Sequence, residues 1–333
     1  MKLLTALLIL LCLSPAPVFS SLHEVREVHY QMGTFLELTL WHSEDDTTKQ
    51  LIREAVGEVH RLEEVFSNFD PESDVSRFNR LAGKGTTNLP PDLYAILKIA
   101  LQLSAKTGGY FDITVGPLVE LWRASLSRGV LPSRDAVART RALVGQEKLK
   151  VTGNGAAELL VPKMKIDLGG IGKGYAVDRV AALLKAAGVL SGLINFGGSS
   201  IYAIGAPPGQ PGWKIGIQGT NEKLRGMIYL HDMALSTSGS MGHSWVIGGR
   251  RYGHLINPKS GMPMIQARMA TVITPSATVA EALTKPLVIL GSKALPMAKE
   301  LPQTEALVIP QRGPLLFSHG FRSKSLWQEV PAS

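Results

Sequence analysis

Apolar and polar positions along this chain follow a helical period in the first half and shorter, strand-like runs beyond residue 193. Residues 26–41 alternate loosely and predict a first strand or hairpin, with Gly33 as its bend. Over residues 47–66, Leu51, Ile52, Ala55, Val56, Val59, Leu62 and Val65 fall at helical spacing and predict an amphipathic helix. A second helix is predicted over 92–106, entered after Pro90-Pro91 and closed at Gly108-Gly109. A third covers 133–144, with Ser133 as N-cap and Gly145 as terminator. Residues 148–160 predict a hairpin around Gly153-Asn154-Gly155, residues 164–168 a strand, and residues 175–187 a helix ending at Gly188. Beyond that, short strands are predicted at 193–196, 201–204, 213–218, 227–230, 245–247, 255–256, 269–273, 306–309 and 315–317. Helices are predicted at 277–290, despite Pro286, and at 294–301. Strands and helices mix without regular βαβ alternation, which predicts an α+β fold in one unit, not a doubly wound sheet.

The run from Asp167 to Asp178, Asp-Leu-Gly-Gly-Ile-Gly-Lys-Gly-Tyr-Ala-Val-Asp, sits at the predicted strand-to-helix junction. Glycines there let backbone N–H groups approach an anion, and the helix N-terminus adds partial positive charge. With Lys173 the run fits a phosphorylated ligand; taken alone it serves equally as a tight turn with no ligand. Its spacing is neither that of a P-loop nor that of a Rossmann fingerprint.

Composition narrows the setting. In a chain of 333 residues the first twenty read as a leader: Lys2 is a basic start, residues 3–13 are apolar, and Pro15 and Pro17 precede Val18-Phe19-Ser20. Cleavage before Ser21 leaves residues 21–333 as the mature domain. The apolar run is too short for a permanent membrane span. The single cysteine, Cys12, leaves with the leader, which excludes disulfides, thiol catalysis and zinc–thiolate sites in the mature chain. Export to a periplasm or cell envelope is the expectation. The formal charge of +8 is spread over scattered basic residues, among them Arg123, Arg128, Arg134, Arg250 and Arg251. No basic stripe interleaved with aromatics is present, so nucleic acid is not the expected partner; an anionic small ligand or a loose membrane-surface association is.

Four more clusters carry chemistry: 107–117 (Thr-Gly-Gly-Tyr-Phe-Asp-Ile-Thr-Val-Gly-Pro), a predicted loop after the second helix, 195–200 (Asn-Phe-Gly-Gly-Ser-Ser), a hydroxyl-rich predicted turn at 236–240, and 254–261 (His-Leu-Ile-Asn-Pro-Lys-Ser-Gly). Together with residues 66–79 and Met32-Gly33-Thr34, and in this order, these motifs resemble the ApbE family over nearly the whole mature chain. The resemblance implies a single α+β domain with a dinucleotide site between two lobes. It implies an FAD:protein FMN transferase of the bacterial cell envelope that uses Mg²⁺ on the pyrophosphate. Such an enzyme moves FMN onto a Thr or Ser hydroxyl of a partner protein and releases AMP. By motif position, Met32, Phe69, Tyr110, Phe111 and Asp112 line the FAD pocket, Asp167 and Lys173 contact polar parts of the cofactor, and Leu255 approaches the flavin. His254 is the candidate general base, its imidazole being suited to neutral pH. The metal positions of the family fall on the Gly170 carbonyl, Glu281 and Lys285, and Thr284, one residue before Lys285, is the candidate to supply the missing oxygen.

Several of these positions depart from the family pattern. Phe69 stands where a tyrosine is usual. The usual Asp-Ala-x-x-Thr reads here as Glu281-Ala282-Leu283-Thr284-Lys285, and Ser199 and Asn257 replace frequent acidic residues. Phenylalanine keeps ring stacking but loses a phenol hydrogen bond, while the changes at 199, 257 and 285 leave the site less negative. Lys285 at a cation's position either repels Mg²⁺ or substitutes for it, and a Glu281–Lys285 pair is also an ordinary i,i+4 ion pair. Three readings stand: an active transferase, an exported FAD-binding protein without transfer activity, and an FAD pyrophosphatase.

Overall fold

In strand His23–Gln31 and strand Thr34–His42, period-2 patterning drives one face inward: Leu36, Leu38 and Leu40 are fully buried while Phe35 and Glu37 face outward or lie half-exposed. The computed structural model describes residues 22–242 and 244–330; the leader expected over residues 1–20 lies outside them. The hairpin opens an eight-stranded sheet that continues through Gly192–Phe196, Ser200–Ile204, Met233–Gly239, Arg268–Thr274, Glu305–Pro310 and Leu316–Phe317. Spatial order follows chain order and every pairing is antiparallel. Register sets apolar residues opposite one another, as in Leu36↔Phe196 and Leu38↔Ile194.

Both faces of the later strands are covered, so Glu305–Pro310 is buried along almost its whole length. The helices are α1 (Asp45–Phe66), α2 (Asp74–Arg80), α3 (Pro91–Lys106), α4 (Gly116–Ser127), α5 (Arg134–Arg141), α6 (Gly172–Ala186) and α7 (Ala277–Leu290), and α1, α2, α3, α6 and α7 build the core on one face of the sheet. The core there joins Ile52, Val59 and Leu62 of α1 and Val177, Val180 and Leu184 of α6 to the leucines of the first hairpin. On the other face, a three-stranded sheet brings Trp213, Ile215, Ile217, Ile228 and Leu230 against Ile201, Leu235, Ile273, Leu307 and Ile309. A smaller cluster ties α4 and α5 to the segment after residue 244: Trp122 stacks on Tyr252 at 6.1 Å, and its Nε1 donates to the Gly261 carbonyl at 2.7 Å. No helix among the described residues is long and apolar enough to cross a membrane.

The hairpin at the start, α1, α3, the Ser133 cap of α5 and α7 with its internal Pro286 appear as the sequence predicts. Four local expectations are corrected. Residues 236–240 are not a turn; through Gly239 they are the central strand Met233–Gly239, whose hydroxyls bond to neighbours inside the protein. Residues 164–168 form no strand, because the Asn79 side chain takes both polar groups of Ile166: Oδ1 accepts from its N–H at 2.8 Å and Nδ2 donates to its carbonyl at 3.1 Å. The 107–117 segment does not remain a loop; its Gly116-Pro117 opens α4, with proline at the first turn where its missing N–H costs nothing. Residues 294–301 fall mostly within the 3₁₀ segment Gly291–Glu300, not an α-helix.

Beneath α1, a charge cluster joins helices distant in sequence. Arg61 bridges Glu58 at 2.9 Å and Asp92 at 2.8 Å, Arg179 reaches Glu58 at 3.0 Å, and the Tyr175 hydroxyl donates to Asp92 at 2.8 Å. The hydrogen bond from Arg61 holds Glu58 below the usual carboxylate range. Burial raises Asp92, but hydrogen bonds from Tyr175 and Arg61 outweigh it and leave its pKa lowered. Carboxylates depressed in the folded state contribute stability that is complete above their unfolded pKa and is lost as pH falls through the folded one. Thermal denaturation is therefore expected to show Tm falling as pH drops below about 4.5, and Arg61→Met to reduce that acid sensitivity; an unchanged pH slope in the variant contradicts this.

Candidate functional site

The site begins with two helices that cap each other. Gly174 in the first turn of α6 packs so tightly on the start of α7 that a Cβ there would lie 2.3 Å from the Ala277 carbonyl oxygen, so no other residue fits. At that contact the two N-termini exchange carboxylates. Asp178 of α6 accepts from the Ser276 hydroxyl (2.7 Å), the Ala277 N–H (2.7 Å), the Thr278 N–H (2.9 Å) and the Thr278 hydroxyl (2.6 Å). In return, Glu281 of α7 accepts from the Gly174 N–H at 2.6 Å. Each carboxylate satisfies orphan N–H groups of the other helix and sits at its positive dipole end. The anion received by the Gly174 amide is thus the protein's own side chain.

Glu281 is 2% exposed and its second oxygen lies 3.3 Å from the Lys173 ammonium. One turn further on, Lys285 donates to the Glu281 carbonyl at 3.0 Å, to the Ser238 hydroxyl at 3.2 Å and to the Thr284 hydroxyl at 3.3 Å; its ammonium is 4.0 Å from the Glu281 carboxylate. Thr284 in turn donates to the Glu281 carbonyl at 2.6 Å and is 2.7 Å from Ser238 Oγ. Burial lowers the Lys285 ammonium to about 8, an effect the Glu281 charge opposes and the Lys173 charge reinforces. The Lys285 stem lies against Gly170: a Cβ on that glycine would be 3.2 Å from Cε.

These side chains floor a cleft of about 660 Å³, within the size range of small-molecule and cofactor sites. Its walls come from separate stretches of chain. The first hairpin contributes Met32, Gly33 and Thr34, with Met32 in the left-handed region at φ 46° and its N–H held by the Glu63 carboxylate at 3.0 Å. The turn at Gly197, φ 65°, brings its backbone against the Thr34 side chain, where a Cβ would meet Oγ1 at 2.8 Å. Tyr110, buried Phe111 and Asp112 form the opposite wall together with Val119 and Arg123 of α4. Gly242, His254, Leu255, Ile256 and Pro258 close the rim, with His254 exposed.

Two carboxyls in the cleft have raised pKa values. Burial pushes Asp112 up, although it accepts from the Thr114 N–H (2.8 Å) and hydroxyl (2.7 Å). Burial likewise pushes Asp167 up against the hydrogen bond from the Gly169 N–H at 2.8 Å. Both supply acceptor oxygens to the lining of the cleft.

The cleft gathers His254, Met32, Tyr110, Phe111, Asp112, Asp167, Lys173, Leu255, Gly170, Glu281 and Lys285, the residues that motif position selects. Two expected residues are not part of its lining. Phe69 is 80% exposed, its loop folded back on the Ser67 hydroxyl, with the Arg123 guanidinium 5.0 Å from the centre of its ring. Thr284 is fully buried behind Lys285. Arg123 was seen in the sequence only as one of many scattered cations; recognising α4 is what places it in the cleft. Ser236, Thr237 and Ser238 enter as strand residues, not as a loop.

The donor set does not suit Mg²⁺. That ion needs near-octahedral oxygens at close range, whereas one Glu281 oxygen is committed to the Gly174 amide and an ammonium occupies the space between Gly170, Ser238 and Glu281. Among the described residues no three His, Cys, Asp or Glu side chains are grouped to hold a metal.

Fold and cleft together define an α+β protein whose cleft has Tyr110 and Phe111 in its wall and Lys173 and Lys285 at its floor. The ApbE family model matches residues 32–308, and the chain belongs to the ApbE family. The FAD:protein FMN transferase of Klebsiella pneumoniae (strain 342) is 28% identical over 279 residues, covering 81% of this chain and 79% of that protein. That of Haemophilus influenzae (strain ATCC 51907 / DSM 11121 / KW20 / Rd) is 32% identical over 248 residues, covering 70% and 71%. Among solved structures, the flavin transferase ApbE from Vibrio cholerae superposes with a TM-score of 0.80 at 25% identity, over 90% of this chain and 99% of that one. The apo form of the Pseudomonas stutzeri flavinyl transferase ApbE gives 0.80 at 29% identity, over 90% and 96%.

Because Asp178 carries four bonds to the start of α7, Asp178→Ala is expected to destabilise the fold by about 2–4 kcal/mol. Denaturant titration measures this; a loss below about 0.5 kcal/mol, the level of an ordinary surface change, contradicts the reciprocal cap.

Proposed function

We propose that this protein takes FAD into the cleft and transfers its FMN portion to a Thr or Ser hydroxyl of a partner protein, with AMP as the leaving group. The observation that carries the reading is the convergence of Met32, Tyr110, Phe111, Asp167, Lys173, His254 and Leu255, from well-separated segments, on one cleft in a member of the ApbE family. An aromatic wall and a cationic floor are what a ligand with a flat ring system at one end and a diphosphate in the middle requires.

In the reaction the acceptor oxygen forms a bond to the phosphorus of the FMN half, and the bond from that phosphorus to the bridging oxygen breaks. AMP departs with the electron pair. The acceptor proton passes to His254, whose exposed position on the rim lets an incoming protein segment reach it. Charge developing on the bridging and equatorial oxygens faces Lys173 and Lys285, fixed cations that need little reorganisation during transfer. Tyr110, Phe111 and Met32 supply apolar surface that excludes water from the same space. Family resemblance assigns Mg²⁺ to this chemistry, but every step above is performed by the chain's own groups. Export by the leader would place the enzyme with acceptors in the periplasm or cell envelope.

Purified protein incubated with FAD and a peptide containing Asp-x-x-Ser/Thr-Gly-Ala-Thr is expected to release AMP and add one FMN to the peptide, read by mass spectrometry. Absence of both products contradicts the reading, and AMP without labelled peptide assigns hydrolysis instead. Lys173→Ala is expected to weaken FAD binding about tenfold, or about 1.4 kcal/mol; unchanged affinity removes Lys173 from the ligand site. His254→Ala is expected to slow transfer about 10²–10⁴-fold with FAD affinity retained, and transfer at the parent rate removes the assigned base.

A further inference from the structure

We propose that the Lys285 ammonium takes the place of a divalent cation in this chain, so that FAD is bound with no metal ion at the cleft floor; this rests on the FAD reading above. The ammonium is held as a small cation would be, by oxygens from two elements. These are Ser238 Oγ at 3.2 Å from the central strand, and the Glu281 carbonyl at 3.0 Å and Thr284 Oγ1 at 3.3 Å from α7. The Glu281 carboxylate stands 4.0 Å away as its counter-charge. Three donors meet three acceptors, which satisfies a lysine ammonium and leaves it acting on a ligand by charge alone.

Space and charge point the same way. The stem of Lys285 packs into the space that a side chain on Gly170 would take, with Cε 3.2 Å from the position of a Cβ there. One oxygen of Glu281 is taken by the Gly174 N–H at 2.6 Å and the other faces Lys173 at 3.3 Å. The floor therefore holds two ammonium groups against one carboxylate, a net single positive charge with which to meet a diphosphate. A divalent ion added between them would meet two like charges at short range and too few free oxygens. Replacing an exchangeable ion by a tethered one also removes the dependence of FAD affinity on external metal.

The test uses the mature protein stripped with EDTA and desalted. FAD is titrated by flavin fluorescence quenching, once in EDTA and once in millimolar MgCl₂. Free Mn²⁺ is followed by electron paramagnetic resonance in a separate titration, with and without FAD. The expected result is an FAD Kd equal within about twofold in the two buffers and no stoichiometric Mn²⁺ site in either sample. Lys285→Met, which keeps the packed stem and removes the charge, is expected to weaken FAD binding about tenfold in EDTA. An FAD affinity that rises tenfold or more with Mg²⁺ in the unaltered protein, or one Mn²⁺ bound per chain, overturns the proposal. Should FAD fail to bind in both buffers, the FAD reading falls while the Mn²⁺ titration without FAD still decides whether Lys285 fills the ion's place.

Discussion

Two carboxylates exchanged between α6 and α7 lock those helices together and set the floor of the cleft. Asp178 fixes where α7 begins, and Glu281 fixes where α6 begins. Between them Gly174 allows a backbone contact that any side chain would forbid. The cleft floor is a consequence: Lys173, Glu281 and Lys285 lie within a few ångströms because the helices carrying them are locked end to end. Neither N-terminus is left to solvent, and a ligand meets side-chain cations in place of a bare helix dipole.

That arrangement alters how the glycine run works. Glycines before a helix with a lysine among them suggest a phosphate cradle built from amides. Here the Gly174 amide binds Glu281, and the glycines serve close packing: Gly174 against α7 and Gly170 against the Lys285 stem. The positive charge left over resides on two lysines. A diphosphate would thus be held chiefly by charge at the floor, with orientation set by the walls at Met32, Tyr110 and Phe111.

Much of this was legible in the sequence where one physical signal acted alone. The α1 periodicity, the Ser133 cap and the alternation of the first hairpin each give one answer, and each is what the chain adopts. Legibility failed where side chains replaced backbone partners or where burial did not require apolar residues. Residues 164–168 have strand composition, yet Asn79 stands in for a neighbouring strand. Residues 236–239 have turn composition, yet Ser236, Thr237 and Ser238 find partners in Ser199, Thr271 and Thr284 and run as a central strand. Phe69 carries a family motif position, but it is exposed to solvent, outside the cleft lining, with Arg123 over its ring. The lysine at position 285 was visible as a departure; its bonding to three oxygens required the fold to bring Ser238 beside α7.

In the binding mode proposed here, fixed ammonium groups, not a metal ion, complement the diphosphate at the junction of α6 and α7. Crystals soaked with FAD and MnCl₂, with diffraction collected at the manganese absorption edge, test it most directly. The expected map shows a diphosphate above Lys173 and Lys285, Lys285 still bonded to Ser238, and no anomalous peak between Gly170 and Glu281. An anomalous peak at that position, with Lys285 swung out of the floor, would contradict it.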